Sequence, residues 1–315
     1  MRFLADERLY TRTEDCLQFL RGLSAGGRPA GESRRRYHVY WHGPFARKQA
    51  FTVKSFLVTQ ALEASELWLW LDGQAGSAGH EDNPFLRPLL PFVRVQRFDM
   101  QTEARDTPLA DGREVGGGRT PTERSNYVRH LVLYKYGGIY ADMDTMFLRD
   151  LGPLVEDERF GDEFCYRWSS HRPFANSAVL ALRQASPAAQ ALLERCRKSG
   201  TGRPQHLLRF AESADLDLLV LPCPFFDPLW LHHDEQDTYP SAPFSRFGDF
   251  FKAIRFPRRP TVASYRDFFP GAFTYHWHNF WDANEPKSCY FSRFDREFDA
   301  ALRDRLGIEC APRGR

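Results

Sequence analysis

Apolar and polar positions follow two different periods along the first half of the chain, and each change of period separates a predicted strand from a predicted helix. Short apolar runs predict strands at 37–41, 67–71, 92–98 and 139–141, and longer amphipathic stretches predict helices at 45–63 and 122–136. Strands that alternate with helices form parallel sheets with helices on both faces. The first half therefore predicts an α/β fold with a mostly parallel central sheet.

The second half of the chain has a weaker and less regular pattern. A strand is predicted at 176–182, and a helix then begins at Ser186 and ends before Gly200, a typical start and a typical stop. The stretch 222–290 is rich in Pro, Phe, Tyr, Trp and His and predicts short segments only. A last amphipathic helix is predicted at 295–306.

The charge balance excludes a strongly basic nucleic-acid-binding protein, since 43 basic and 41 acidic residues leave a net charge of +2. Apolar residues make up 42% of the 315 positions, enough for a sizeable core and too many for a disordered chain. No segment has the length of a membrane span or the core of a signal peptide, so we expect a cytoplasmic protein. The six cysteines form no CxxC pair, which predicts reduced, mostly buried thiols.

The segment 123–144 carries the residue types most typical of chemistry. Asn126 and Arg129 are three positions apart and share one face of the predicted helix. A glycine pair ends that helix, and a short strand then leads to Asp142 and Asp144, whose side chains would share one face if the strand continued. Both aspartates follow the carboxyl end of that strand, and open parallel sheets bind ligands at the carboxyl ends of their strands. Two adjacent carboxylates favour Mg²⁺ or Mn²⁺, and such a cation can bridge the oxygens of a diphosphate.

This segment resembles the sugar-binding DXD region of glycosyltransferase family 32, and more distantly the glucosylating toxins of clostridia. The resemblance rests on the offset of the arginine, the Gly-Gly pair, the tyrosine two residues before the first aspartate, and the Asp-x-Asp itself. It implies a GT-A type, Rossmann-like nucleotide-sugar fold. Because no linker interrupts the chain, we predict one domain over 1–315, with a nucleotide-sugar-binding half at 37–150 and an acceptor half at 151–315.

The resemblance also implies roles for the residues of the motif. Asp142 and Asp144 are expected to hold the cation and the donor diphosphate, Tyr140 to lie against the nucleotide, and Arg129 to contact the sugar or the diphosphate. The chain departs from the family at Asn126, where an aspartate is usual. An amide keeps the hydrogen-bonding capacity but loses the negative charge. This departure leaves open an altered sugar preference or weakened activity.

Three further segments resemble the family outside the motif. Trp41, at the end of the first strand, is expected to stack on the nucleotide base, or else to belong to the core. Asn176 is expected either to touch the donor sugar or to form a structural turn. His276 matches a family histidine whose expected role is a third metal ligand or a diphosphate contact, with His278 as the alternative. Trp277 is expected to contact the donor.

The function that the resemblance implies is a metal-dependent, retaining glycosyltransferase. The expected cofactor is Mn²⁺ or Mg²⁺, the donor a UDP-sugar with GDP-mannose second, and the acceptor a glycan or glycolipid. No evident carboxylate nucleophile is present, so attack on the face of the leaving phosphate is the more economical route to retention. Two alternatives stay open. One is a sugar-nucleotide-binding pseudo-transferase, and the other is a DxD phosphatase, in which Met146 would replace the usual Thr or Val.

Two basic segments raise the alternative of peripheral contact with the inner face of a membrane. Three arginines at 34–36 precede the first strand, and phenylalanines alternate with basic residues over 244–259. Anionic lipid attracts such clusters. A solvated strand start and ordinary packing of the second half are the simpler explanations.

Overall fold

The computed structural model of the protein describes residues 1–4, 13–23, 34–72, 80–112, 120–157, 159–169, 172–230, 242–254 and 262–310. Its strands are β1 (Arg2–Phe3), β2 (Arg35–His42), β3 (Ser65–Asp72), β4 (Val93–Phe98), β5 (Gly138–Ala141), β6 (Thr145–Phe147), β7 (Phe164–Arg167), β8 (Ala175–Leu182), β9 (Leu219–Leu221) and β10 (Thr274–His276). Its α-helices are α1 (Thr13–Arg21), α2 (Arg47–Thr59), α3 (Met100–Ala104), α4 (Pro121–Tyr136), α5 (Gly152–Glu156), α6 (Pro187–Ser199), α7 (Pro204–Leu207) and α8 (Tyr290–Leu306).

Eight strands form a central sheet in the order β1-β9-β7-β8-β5-β2-β3-β4. Most neighbours run parallel, and β8 runs antiparallel to both β5 and β7. The predicted mostly parallel sheet is therefore confirmed, and both halves of the chain contribute strands to it. A separate antiparallel ribbon joins β6 to β10.

Buried side chains fill two layers, one on each face of the sheet. Successive residues of β3 point into opposite layers, Leu69 into the first and Trp70 into the second. Helices α2 and α8 cover the first layer, where the rings of Phe51 and Phe291 lie 4.5 Å apart. Helix α4 lies on the second layer through residues such as Leu131. Burial of each such side chain stabilises the fold by about 1.5–3 kcal/mol, and the prediction of helices on both faces is confirmed.

Helix α4 has the clearest local signals at both of its ends. The Thr120 hydroxyl accepts a hydrogen bond from the Glu123 N–H, and the Glu123 carboxylate accepts one from the Thr120 N–H, a capping box. The helix ends at Gly137, whose φ is +64°, and Gly138 follows at +108°. A Cβ on Gly138 would collide with the carbonyl oxygen of Arg36 on β2. The glycine pair thus lets the chain turn directly from the helix into β5.

Several element boundaries differ from the prediction. Helix α8 begins at Tyr290 rather than at 295, because the Cys289 sulfur caps the helix by accepting from the Ser292 N–H. Strands β7, β9 and β10 are three or four residues long and were not predicted, since so short a run carries no readable period. The six cysteines form no disulfide, and all of them except Cys310 are buried, as predicted.

The basic segments are largely tied to the fold. Arg35 pairs with Glu156 over 2.7 Å, and Arg36 donates to the carbonyl oxygen of Tyr136 over 2.9 Å. Phe250 and Phe251 are buried, which agrees with ordinary packing. The basic residues at 255–259 lie outside the described residues. Within the described ranges, no helix has the length and apolar character needed to cross a bilayer.

Two completely buried histidines should make the fold acid-sensitive. Burial lowers the pKa of His38 to about 4 and that of His130 to about 3, whereas both titrate near pH 6.5 in an unfolded chain. The unfolded chain therefore binds protons more readily, so this stability is complete above about pH 6.5 and is lost as the pH falls toward the folded values.

We expect each of these histidines to lower the free energy of unfolding by about 2 kcal/mol between about pH 7.5 and about pH 5. Urea unfolding of the wild type and of His130→Gln at both pH values measures the effect. The variant should lose about 2 kcal/mol of the pH dependence, and an unchanged dependence would contradict the assignment.

Candidate active site

Asp142 and Asp144 lie in a tight turn directly after β5, not on an extended strand as predicted. β5 ends at Ala141, and the Thr145 N–H donates to the carbonyl oxygen of Asp142 over 3.1 Å. The Asp142 N–H donates to the carbonyl oxygen of Ala178 over 2.8 Å, which holds the turn on β8. The turn, rather than the alternation of a strand, places both carboxylates at the carboxyl edge of the sheet.

The Asp142 carboxylate is balanced by a buried arginine. Arg129 of α4 is 4% exposed, and its guanidinium pairs with Asp142 Oδ1 over 2.9 Å. The same guanidinium donates to the carbonyl oxygen and the hydroxyl of Ser177 over 2.8 and 3.0 Å. Burial raises the pKa of Asp142, and Arg129 opposes that rise. Arg129 therefore joins α4, β5 and β8 at the turn.

Asp144 is held by the ribbon of β6 and β10. The register of that ribbon pairs His276 with Thr145, which brings the histidine beside Asp144. His276 Nε2 lies 3.0 Å from Asp144 Oδ1, and the Asn279 N–H donates to Asp144 Oδ2 over 2.7 Å. The Trp277 N–H donates to the Asp144 carbonyl oxygen over 3.0 Å. A segment far along the chain thus completes the surroundings of the second aspartate.

The pair of Asp144 and His276 is strongly polarised. Burial works to raise the pKa of Asp144, but the His276 imidazole and the Asn279 N–H, together with the nearby His278, outweigh it and lower that pKa to about 2. Burial likewise works against the charged form of His276, while the Asp144 and Asp227 carboxylates raise its pKa well above the ordinary value. Without a metal the pair is therefore a carboxylate and an imidazolium, and a divalent cation would replace that proton.

The side chains of Asp142, Asp144 and His276 fit a divalent cation. Each offers one ligand atom, and these atoms lie within 4.8 Å of one another. Neither ring nitrogen of His276 has a well-aligned hydrogen bond to any described residue, although Nε2 is close to Asp144. Buried donor atoms that converge without hydrogen-bonding to each other are typical of metal ligands. Two carboxylates and one imidazole are ligand types that bind divalent cations in proteins.

A cavity of about 540 Å³ opens over these ligand atoms, within the size range of small-molecule sites. Its lining comprises Tyr40, Trp41, His42, Pro121, Thr122, Ser125, Asn126, Arg129, Asp142, Met143, Asp144, Trp168, Asn176, Arg203, Pro204, Gln205, His276, His278, Asn279 and Trp281. The wall combines aromatic rings with amides and charged groups, a composition suited to a polar ligand that has a flat part.

Residues 80–161, which include both aspartates and Arg129, match the family model described as glycosyltransferase sugar-binding region containing DXD motif. The chain is similar to that region over this segment, and its Asp-x-Asp sequence is Asp142-Met143-Asp144. Its cavity also draws on His276 and Asn279, which lie outside the matched segment. The match favours a glycosyltransferase over the phosphatase alternative.

Solved glycosyltransferase structures resemble this chain at low sequence identity. The apo-form glycosyltransferase GlyE of Streptococcus pneumoniae TIGR4 aligns with a TM-score of 0.51 and 12% identity, over 87% of this chain and 64% of that chain. PaToxG glycosyltransferase aligns with a TM-score of 0.41 and 19% identity, over 53% of this chain and 60% of that chain. An active-site mutant of LgtC aligns with a TM-score of 0.44 and 12% identity, over 88% of this chain and 97% of that chain.

This chain thus spans less than two thirds of the GlyE and PaToxG chains. The GlyE alignment supports the fold, a mixed α/β architecture with a large, mostly parallel sheet. No curated protein sequence matches the chain.

The cavity brings together most of the predicted site residues, namely Trp41, Asn126, Arg129, Asp142, Asp144, Asn176, His276 and His278. Tyr140 and Trp277 are not among its lining residues. Tyr140 is fully buried, with its hydroxyl 3.0 Å from the Ser125 hydroxyl. Trp277 is also fully buried, and its ring stacks on that of Phe250 with ring centroids 6.3 Å apart. The Trp277 ring therefore lies in the core and not against the cavity, contrary to the expectation of a donor contact.

The remaining predicted residues have definite structural partners. The Asn176 side-chain oxygen accepts from the Ala178 N–H over 2.9 Å, a local contact within β8. The Trp41 indole N–H donates to the Pro44 carbonyl oxygen over 2.9 Å, which fixes the ring at the cavity. Asn126 is buried on the wall of the cavity.

Several residues at or near the cavity were not predicted from the sequence. Trp281 faces Trp41, with ring centroids 4.6 Å apart, and both rings line the cavity. Asp72, the last residue of β3, accepts from the Tyr40 hydroxyl over 2.5 Å and pairs with Arg124 over 2.6 Å. The position of Asp72 at the carboxyl end of a strand was a usable signal. Nothing in the aromatic run 273–281 distinguishes Trp281 from Trp277.

A buried lysine fastens the loop that carries Trp281. Lys48 of α2 donates to the carbonyl oxygens of Phe280, Trp281 and Ala283 over 2.9, 2.5 and 2.6 Å. Lys48→Met would leave these acceptors without their donor, and we expect the free energy of unfolding to fall by about 2 kcal/mol. Amide hydrogen exchange across 279–285 should also become faster. Lys252→Met, which removes an exposed lysine, is the control, and loop exchange equal in the two variants would contradict the prediction.

Proposed function

We propose that the protein is a metal-dependent, retaining glycosyltransferase that moves a sugar from a nucleoside-diphosphate donor to a hydroxyl group of a glycan or glycolipid. The observation that carries this proposal is the convergence of Asp142, Asp144 and His276 at the floor of the cavity, inside and beside a DXD sugar-binding region. Convergent oxygen and nitrogen ligands hold a cation, and a cation binds a diphosphate.

The donor is proposed to be a UDP-sugar, with GDP-mannose as the second choice. The rings of Trp41 and Trp281 offer a flat base a place to stack at one side of the cavity. The proposed ligand set would place the diphosphate beside Asp142 and Asp144, with Arg129 close enough to add positive charge. Mn²⁺ or Mg²⁺ is the proposed cofactor, and the donor sugar would then face Asn126 and Asn176.

In the proposed reaction, the acceptor oxygen bonds to the anomeric carbon while the bond from that carbon to the diphosphate oxygen breaks. The bonding electrons leave with the nucleoside diphosphate, and the acceptor proton passes to the departing phosphate oxygen. A bound divalent cation supplies positive charge for the leaving group. Arg129 holds Asp142 in place, and the Asn279 N–H and the Trp277 N–H hold Asp144.

Retention of the anomeric configuration is proposed to follow from attack on the face that the phosphate leaves. Among the described lining residues, the carboxylates are Asp142 and Asp144. Arg129 pairs with the first and His276 with the second. Neither is free to act as a nucleophile in a double displacement, which supports a same-face mechanism. Proton NMR of the first product formed tests retention itself, and an inverted anomer would contradict this part of the proposal.

A donor-hydrolysis screen tests the proposed function. The full chain is incubated with UDP- and GDP-sugars, with Mn²⁺, Mg²⁺ or EDTA, and nucleoside-diphosphate release is measured. We expect release from one donor class, dependent on the metal and abolished in Asp142→Asn. Asp217→Asn, an exposed aspartate far from the cavity, is the control.

Nucleotide-sugar binding without release would instead support the pseudo-transferase. Asn126 is the residue on which that alternative depends, because the related family usually has Asp there. Asn126→Asp restores the charge on the cavity wall, and recovered release in this variant would locate the defect at that position. Absence of both binding and release for every donor would contradict the proposed function.

A further inference from the structure

A buried carboxylate lies behind the two histidines of the cavity. Asp227 is 0% exposed and is not among the lining residues. Its Oδ2 lies 2.8 Å from His278 Nε2 and 3.7 Å from His276 Nδ1, on the side of the His276 ring opposite to Asp144. Neither oxygen of Asp227 has a well-aligned hydrogen bond to any described residue. A buried charge without such bonds is expensive, so its contact with two imidazoles calls for a role.

The backbone around Asp227 is fastened to the strand that carries His276. The Asp227 N–H donates to the carbonyl oxygen of Cys223 over 2.8 Å. The Thr274 hydroxyl, at the start of β10, donates to the Phe226 carbonyl oxygen over 2.8 Å. The segment that carries the carboxylate is therefore joined directly to the strand that carries His276.

His278 is held from three sides and cannot turn freely toward Asp144. Its ring packs edge-on against the rings of Phe247 and Trp230, with centroids 4.1 and 5.7 Å away. The centroid of the His276 ring is also 4.1 Å away. His278 also has a φ of +53°, a left-handed conformation that is rare for residues other than glycine. Such a conformation persists only where the surroundings determine it, and the contact with Asp227 is the charged part of those surroundings.

We propose that Asp227 is a positioning residue that assigns different tasks to the two histidines. It attracts the Nδ1–H of His276, which leaves the Nε2 lone pair for a cation bound beside Asp144, and it retains His278 as a supporting partner outside the ligand set. A ligating histidine commonly donates its other ring N–H to a carboxylate, which fixes the tautomer and raises the basicity of the ligand nitrogen. The inference rests on the proposed function only in assuming that Asp142, Asp144 and His276 hold a cation.

The same atoms define a competing arrangement. Asp227, His276 and His278 also lie within 4.8 Å of one another and could hold a second cation. The short contact between Asp227 and His278 favours a direct pair instead, because a cation shared by these two groups would separate their ligand atoms further. A positioning role predicts one Mn²⁺ per chain, whereas a second site predicts two.

Manganese binding to the full chain, followed by electron paramagnetic resonance without any nucleotide, tests the proposal. Asp227→Asn should weaken Mn²⁺ binding by about 10–100-fold, the usual effect of removing a carboxylate behind a ligand. Asp249→Asn, a carboxylate in the neighbouring segment Phe247–Phe251 that pairs with Lys252, is the control and should bind like the wild type. Unchanged affinity in folded Asp227→Asn, or two Mn²⁺ per wild-type chain, would overturn the assignment.

A second measurement keeps the proposal testable if Asp227→Asn does not fold. Nitrogen-15 NMR of the histidine rings in the wild type saturated with Mg²⁺ should show the single ring proton of His276 on Nδ1. A proton on Nε2 would overturn the proposal. His278→Asn, which tolerates the left-handed backbone, should still bind one Mn²⁺ within about threefold of the wild type, since the proposal places His278 outside the ligand set. Loss of binding in His278→Asn would make it a ligand and contradict the proposal.

Failure of this inference and failure of the proposed function give different results. Metal-dependent release of nucleoside diphosphate, together with normal Mn²⁺ binding by Asp227→Asn, would reject the positioning role alone. One Mn²⁺ site that depends on Asp227 in a chain that hydrolyses no nucleotide sugar would reject the proposed function alone.

Discussion

Asp144→Asn is expected to reduce nucleoside-diphosphate release by about 1,000-fold or more. Asp144 contacts His276, accepts a hydrogen bond from the Asn279 N–H, and would supply one of three ligand atoms for the proposed cation. Its loss removes both a ligand and the charge that keeps His276 in place, and loss of one stabilising group aimed at developing charge typically costs about 10²–10³-fold in rate.

Steady-state release assays at saturating donor and metal measure this effect, with Asp217→Asn as the matched aspartate-to-asparagine control. Circular dichroism checks that both variants fold. Activity of Asp144→Asn within tenfold of the control would show that this carboxylate is not a ligand on which the reaction depends.

Arg129→Met is expected to lower the free energy of unfolding by about 3 kcal/mol, because it leaves the Asp142 carboxylate without its partner in a mostly buried position. It also removes the donor to the Ser177 carbonyl oxygen, which links α4 to β8. Arg129→Lys should recover little of this, since an ammonium group cannot reproduce the geometry of the guanidinium.

A double-mutant cycle separates the charge from the packing. Arg129→Met combined with Asp142→Asn removes both charges, so urea unfolding should find the double variant more stable than Arg129→Met alone. If the two effects simply add, the ion pair does not contribute and the loss in Arg129→Met is a packing effect.

The fold was predictable wherever one segment determines its own structure. Helix α4 and the turn into β5 follow from the Gly137–Gly138 pair and from Tyr127, Leu131 and Tyr134 at helical spacing, so their limits differ from the prediction by at most one residue. Strands β7 and β9 were not predictable, because three or four residues become a strand only through partners far along the chain.

The site was predictable to the same extent. Asp142, Asp144 and Arg129 lie in one local motif and were found together. His276 was found only through its resemblance to a family segment, because its place beside Asp144 depends on the register of β10 on β6. Asp227 is an isolated aspartate between Phe226 and Pro228 and carried no signal.

Trp277 and Trp281 show a different limit of sequence reasoning. Regular alternation would give Trp277, Asn279 and Trp281 the same orientation, which makes either ring a reasonable candidate for the donor. The left-handed residues His278 and Asn279 break the alternation, with φ values of +53° and +59°. One indole then faces the core and the other faces the cavity.

The ribbon that joins β6 to β10 has a consequence for the order in which the chain is made. Asp144 and Asn279 are separated by 135 residues, so on the ribosome the first aspartates leave the exit tunnel long before their partners. Until that later segment docks, the nascent chain has a DXD turn without the imidazole and amide that complete it. The proposed cation site can therefore assemble only after nearly all of the described sequence has been synthesised.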